Sequence, residues 1–249
     1  MLSSSSKKTN QSTLTNSVAF HDHLPRIALI TGANKGLGFE TARQLGKQGI
    51  TVLIGARDAA RGDAAVAALA KDGITAAVAT VTARHGRLDI LVNNAGILDY
   101  AADTGPETTS VETFRRVFET NLFGLVAVTQ AFLPLLKQSP AGRIVNLSSI
   151  LGSISEHADA NSFIYNFLLT AYDSSKAAVN LYTVELAHAL KATTIKVNAA
   201  HPGWVKTDMG GEQAPMEIID GVKTSVALAT LPDDGPTGGY YHLGVHLRW

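Results

Sequence analysis

The chain has 249 residues, 45% of them apolar and 17% charged, with 21 Lys+Arg against 21 Asp+Glu and no cysteine. That balance argues against wholesale disorder, gives no global pull toward nucleic acid or anionic lipid, and removes disulfides, thiol catalysis and Cys-ligated zinc. No apolar run approaches the roughly 20 residues needed to span a bilayer, so neither nucleic acid nor membrane is an expected partner and a cytoplasmic location is expected.

Met1–His23 is rich in Ser, Thr and Asn and lacks the roughly 7–15-residue apolar core of a secretory signal. It reads as a solvated, disordered tail, residues 1–23, ahead of a folded domain over 24–249. Ile27-Ala28-Leu29-Ile30 suits a strand buried on both faces. Gly36-Leu37-Gly38 leads into a helix, with Phe39, Ala42 and Leu45 at helical spacing and Gly49 as its stop. Thr51–Ile54 predicts a second strand, and Ala59–Lys71 an alanine-rich helix closed by Asp72-Gly73. Leu88–Val92 predicts a strand stopped by Asn93-Asn94-Ala95-Gly96, then Val111–Leu136 a long helix. Arg143–Leu147 reads as a strand, Tyr172–Leu190 as a helix, Ile195–Ala199 as a strand, Met216–Ala229 as a helix and Gly239–Leu243 as a last strand. Strands alternating with helices imply βαβ units: an α/β fold with a doubly wound parallel sheet in one domain.

Thr31-Gly32-Ala33-Asn34-Lys35-Gly36-Leu37-Gly38 lies between the first strand and the first helix. Glycines there let the backbone approach a pyrophosphate, and the helix start supplies free N–H groups and a positive dipole end. The spacing G-x-x-x-G-x-G, followed in order by N-N-A-G at Asn93–Gly96, Y-x-x-x-K at Tyr172–Lys176 and P-G at Pro202–Gly203, resembles the short-chain dehydrogenase/reductase superfamily from Arg26 onward. Asn34-Lys35 and Pro202–Met209 further resemble its NADPH-dependent carbonyl-reductase branch.

An acidic residue after the second strand would bind the ribose 2′-hydroxyl of NAD. Here Ala56 stands at that place and Arg57 follows it, an arginine fork suited to a 2′-phosphate, with Lys35 and Arg61 in reach. NADP(H) is the expected cofactor. Asn94, Ala95 and Gly96 are expected to line the cofactor cleft, Asn94 tying its turn to neighbouring strands.

Carbonyl reduction needs a proton beside the oxygen as well as a hydride on carbon. Tyr172 and Lys176 stand four apart on one helical face, and a nearby lysine favours phenolate. Of the six tyrosines, only Tyr172 has this partner. The resemblance makes Tyr172 the acid/base, with Lys176 as pKa modulator and ligand of the nicotinamide ribose. It makes Ser149 the residue that holds the substrate oxygen, with Ser148 as backup. It makes Asn121 the residue that positions a relay water. It also implies that Val205 main-chain groups hold the carboxamide and that Thr207 contacts the cofactor beside Pro202 and Gly203. Ile150, Trp204 and an inserted segment around 155–169 suggest an apolar ketone or aldehyde, or the corresponding alcohol in reverse. The histidines His157, His188 and His201 have no convincing ligand spacing, so no metal is expected. The long helices carry apolar residues around much of their circumference, consistent with a homo-oligomer.

Two alternatives differ in class: a non-catalytic nucleotide-binding protein on this fold, and a biosynthetic ketoreductase of narrow specificity. The first draws on an anomaly. The superfamily places a third strand and a further helix before the strand leading to N-N-A-G, yet only Ile74–Arg87 is available for both. A parallel crossover needs about a dozen residues, so this third βα unit must be shortened. Ile74, Val78 and Val81 fit helical spacing, which favours a surviving helix and a lost strand. The acidic residue expected to border the adenine has no counterpart in Ala79-Thr80-Val81.

Overall fold

The computed structural model describes residues 25–55 and 63–249, residues 63–72 by their backbone alone. The tail assigned to 1–23 and the residues Ala56, Arg57 and Arg61 therefore lie outside the described residues. Among the described residues six strands run parallel: β1 (Ile27–Thr31), β2 (Thr51–Gly55), β3 (Ile90–Asn93), β4 (Arg143–Leu147), β5 (Lys196–Ala200) and β6 (Tyr240–His242). A short β7 (Val245–His246) folds back antiparallel on β6, a hairpin the sequence reading did not include. The order is β2-β1-β3-β4-β5-β6-β7.

Among the described residues eight α-helices accompany this sheet: α1 (Gly36–Lys47), α2 (Asp63–His85), α3 (Val111–Phe118), α4 (Gly124–Leu136), α5 (Ile154–His157), α6 (Thr170–Ala189), α7 (Ile218–Gly221) and α8 (Lys223–Ala229). Strand side chains alternate between two cores. Ala28, Ile30, Ile90, Val92, Val145 and Leu147 pack with Ala42 and Leu45 of α1 and Val226 of α8. Ile27, Leu29, Leu91, Ile144 and Val197 pack on the other face with Val81 of α2, Phe132 and Leu136 of α4, and Leu190. Period-two alternation with both sides apolar is what makes these strands read as continuous apolar runs.

Among the described residues no strand lies between β2 and β3; one 23-residue helix, α2, joins them. The third βα unit has kept its helix and lost its strand. The expected stop at Asp72-Gly73 is corrected: α2 runs through it to His85. A glycine costs a helix only about 1 kcal/mol against alanine, and burial of Val81, with Ala77 and Val78 packed beside it, favours continuation.

Two other boundaries differ from expectation. The Met216–Ala229 helix starts at Ile218 and breaks at Val222, because Met216 pairs with Val205 as a β-bridge. The long helix over Val111–Leu136 is interrupted by a π-helical turn at Glu119–Phe123, centred on Asn121. By length and composition alone Val111–Leu136 could cross a membrane, contrary to the expectation that no segment comes close. In this fold its Thr129, Phe132 and Leu136 are buried against the protein.

Candidate active site

The glycine turn follows β1, where strand ends open into the crevice of an α/β sheet. Gly32 and Gly36 adopt φ of 63° and 58°, a region that only glycine enters freely. A Cβ on Gly38 would lie 2.5 Å from Asn94 Nδ2 and 2.6 Å from Gly32 O, so no side chain fits there. Lys35 caps α1 without any side-chain hydrogen bond, leaving the first-turn N–H groups of Gly36, Leu37 and Gly38 uncapped by a side chain. Asn94 holds the turn from the neighbouring strand: its Nδ2 donates to Thr31 O (2.8 Å) and Gly32 O (3.0 Å). Thr31 Oγ1 in return accepts the N–H of Asn94 and of Ala95. Lys35 forms an exposed ion pair with Asp208, joining the glycine turn to the segment after β5. Asn34 is exposed beside it.

On the other side of the crevice, β4 delivers Ser148 and Ser149 from its C-terminal end. Their side chains part company. Ser148 is buried and donates to Asn180 Oδ1 at 2.6 Å, whereas Ser149 is half-buried, its Oγ accepts the Leu151 N–H at 3.3 Å, and its hydroxyl lies near enough to the Tyr172 phenol to favour the phenolate. Helix α6 places Tyr172 and Lys176 on one face, with Lys176 Nζ 5.6 Å from the Tyr172 ring centroid. Lys176 Nζ donates to Leu147 O at 2.8 Å. Gly96 ends the N-N-A-G turn where a Cβ would sit 3.6 Å from Lys176 Nζ and 3.4 Å from Asn121 Oδ1.

The electrostatics depart from the expectation that Lys176 pulls the phenol down. Burial pushes Tyr172 well above the ordinary tyrosine range; the nearby Ser149 hydroxyl opposes this, and Asp173 and Tyr100 add to the rise. Burial also lowers Lys176 to about 8. Low-dielectric surroundings disfavour both charged forms, and burial is the leading cause at both groups.

Asn121 is buried in its π-helical turn. Its Oδ1 accepts the Ile97 N–H (2.8 Å), while its Nδ2 donates to Ile97 O (3.0 Å) and Ser175 Oγ (3.0 Å). Pro202 and Gly203 (φ 92°) follow β5. Val205 is buried and Thr207 Oγ1 donates to Val205 O at 3.3 Å. Trp204 is 53% exposed, with its Nε1 on Gly210 O, so it does not pack in the core. Ile150 sits half-buried on a 3₁₀ turn next to Ser149. In the 155–169 segment Ile164 is anchored while Phe163, Tyr165 and Phe167 are exposed.

Two groups at this site escaped the sequence reading. His201 Nδ1 accepts the N–H of Ile150 (3.2 Å) and of Gly203 (3.4 Å), linking the serine turn to the Pro-Gly turn. Burial, with His242 adding to it, holds His201 down at about 3 and so neutral, as an acceptor must be. The second is Asp103, whose carboxylate accepts the N–H of Ala171 and Tyr172. Neither residue belongs to a local motif; only tertiary contact brings them here.

The profile of the family described as short chain dehydrogenase matches residues 26–218. The short-chain dehydrogenase anuI of Penicillium roqueforti is 38% identical over 82% of this chain and 88% of its own length. The NADPH carbonyl reductase 1 of Bos taurus is 34% identical, over 90% of this chain and 98% of its own. The solved structure of NADPH-bound carbonyl reductase from chicken fatty liver superposes with a TM-score of 0.75 at 27% identity, covering 90% of this chain and 99% of that one.

Proposed function

Because the chain belongs to the short-chain dehydrogenase family of oxidoreductases, we propose that it reduces a ketone or aldehyde to an alcohol with NADPH, Tyr172 delivering the proton. The observation that carries this is the meeting of Ser149, Tyr172 and Lys176 at the C-terminal end of β4, with Gly96 close to both Lys176 Nζ and Asn121 Oδ1. The relatives named for NADPH and carbonyl reduction support the same reading.

The residues fit a dinucleotide. Gly32, Asn34, Lys35, Gly36, Leu37 and Gly38 would hold the pyrophosphate side, where the helix start has no side-chain cap and Gly38 has no room for a Cβ. Ala95 and Gly96 would line the middle, and Pro202, Gly203, Val205 and Thr207 the nicotinamide end. Lys35 would reach a 2′-phosphate only by leaving Asp208, and Arg57 is assigned that phosphate on its sequence position alone.

When bound, NADPH supplies the hydride for the carbonyl carbon. Ser149 Oγ hydrogen-bonds the carbonyl oxygen and holds it beside the Tyr172 hydroxyl. Burial keeps Tyr172 protonated, and so a donor, until negative charge develops on that oxygen. Lys176, with its pKa near 8, is still mostly ammonium at neutral pH and stabilises the phenolate left behind. The π-helical turn at Asn121 opens the helical ladder beside Lys176, which supports a water there that returns the proton from solvent. Ile150, Trp204 and the exposed aromatics of the 155–169 segment favour an apolar substrate.

Oxidation of NADPH by a panel of aromatic aldehydes, quinones and ketoesters tests this reading. Turnover on several members is expected. Activity on one member alone indicates the narrow-specificity ketoreductase. Tight NADPH binding with no turnover on any member indicates a non-catalytic binding protein, the reading that the lost strand beside β2 favours.

A further inference from the structure

We propose that Asp103 is a positioning residue for the proton donor: its buried carboxylate, delivered by the loop after β3, caps helix α6 from outside and fixes the backbone of Tyr172. This rests on the role given to Tyr172 above.

The first N–H groups of a helix have no partner within it. An N-cap side chain usually supplies one, but the residue at that place in α6 is Leu169, which makes no side-chain bond. Asp103 fills the gap from 68 positions away in sequence. Ala171 N–H donates to its Oδ1 at 3.0 Å and Tyr172 N–H to its Oδ2 at 2.8 Å. Each oxygen takes one donor of the first turn, so both bonds are charge-assisted and aligned with the positive end of the helix dipole. Asp103 is 2% exposed and Ala171 0%, so water is poorly placed to replace the carboxylate.

The carboxylate is itself held. Thr109 Oγ1 donates to Oδ1 at 3.1 Å and accepts the N–H of Thr104 and Gly105. Asp103 N–H donates to Asp99 O. The same loop grips α6 a second time, because Ile97 holds Asn121 through two bonds and Asn121 donates to Ser175 Oγ. Tyr172 lies between the two grips. Its own N–H is one of the capped donors, so no flexible segment separates the cap from the residue that bears the phenol. Asp173 caps only the Leu169 N–H, at 3.1 Å, and does not duplicate the contact. Reacting groups misplaced by about 1 Å can lose roughly 10²-fold in rate, so a cap that indexes Tyr172 acts on turnover as well as on stability.

Amide hydrogen exchange on the full-length protein tests the contact without mutation. The Ala171 and Tyr172 amides, second and third in the helix, are expected to exchange as slowly as mid-helix Val179; fast exchange overturns the proposal. Asp103→Asn leaves one acceptor oxygen and is expected to lower kcat by about tenfold, with the NADPH dissociation constant and substrate KM unchanged. Ser110→Ala removes a cap of the same kind from α3, where Ser110 Oγ accepts Thr113 N–H at 3.1 Å, and is expected to lower stability while leaving kcat intact. A wild-type kcat in Asp103→Asn, or a loss that disappears when rates are counted per NADPH-binding site, overturns the positioning role. If Asp103→Asn does not fold, the exchange measurement decides. Turnover retained in Tyr172→Phe would place the failure in the proposed chemistry instead.

Discussion

The two sides of the crevice are built to different degrees. From β3 through β5 the strands are largely buried, and Ser149, the Tyr172 backbone, Lys176 and Asn121 are each held by hydrogen bonds. On the other side β2 is, among the described residues, the last strand of the sheet, its residues are only partly covered, and Ile54 is 51% exposed. The strand is lost on the side where the proposed cofactor would place its adenosine, while the side proposed to hold the proton donor is intact. A physical asymmetry explains why this is tolerable. Proton transfer depends on a few atoms placed within fractions of an ångström, whereas adenosine affinity is spread over many contacts and declines by degrees.

The largest effect is expected from Tyr172→Phe, which removes the proton and little shape. It should lose at least ~10²-fold in turnover while NADPH still binds, as read by steady-state rates alongside a fluorescence titration. Near-normal turnover would end the assignment. Lys176→Ala should cost roughly tenfold or more in turnover and also weaken NADPH if, as the family resemblance implies, Lys176 serves both the phenol and the ribose. Unchanged affinity in a titration would remove the second half of its role.

A pH experiment probes the burial of that lysine. Its pKa falls from 10.5 to about 8 on folding. Between those values the unfolded chain binds the extra proton, so stability rises with pH. The penalty of burying Lys176 is therefore full below pH 8 and relieved as pH approaches 10.5. Wild-type stability minus that of Lys176→Met should climb across this window and stay flat below it. Denaturant melts at several pH values read this directly, and a flat difference throughout would show that Lys176 is not desolvated. The smallest effect is expected from the trimmed side. Replacing Asp63–His85 with the matching segment of the Bos taurus relative should improve NADPH affinity by about severalfold, roughly 1 kcal/mol, and raise Tm without altering kcat. No gain in affinity would show that the lost strand does not matter to the cofactor.

Much of this arrangement was legible in the sequence because its signals are local. The β1 and β4 runs, the glycine turn and the four-residue spacing of Tyr172 and Lys176 are patterns of neighbouring residues. The length of 74–87 was enough to show that strand and helix could not coexist, and the helical spacing of Ile74, Val78 and Val81 pointed to the survivor. What stayed hidden depends on distant contacts. Gly73 read as a stop because local propensity favours one, but packing of Val81 carries α2 through it. Lys176 was expected to lower the phenol because spacing reveals proximity and not burial. Asp103 and His201 lie in irregular segments with no pattern of their own, and only the fold brings them to α6 and to the serine turn.

The most direct test of the asymmetry measures both sides on one preparation. kcat with a reactive carbonyl at saturating NADPH reports the proton-donor side, and the NADPH dissociation constant reports the whole cofactor cleft, each beside the NADPH carbonyl reductase 1 of Bos taurus. A kcat comparable with that enzyme's and a dissociation constant several times larger are expected. NADPH bound as tightly as in that enzyme, with no turnover, would contradict both expectations.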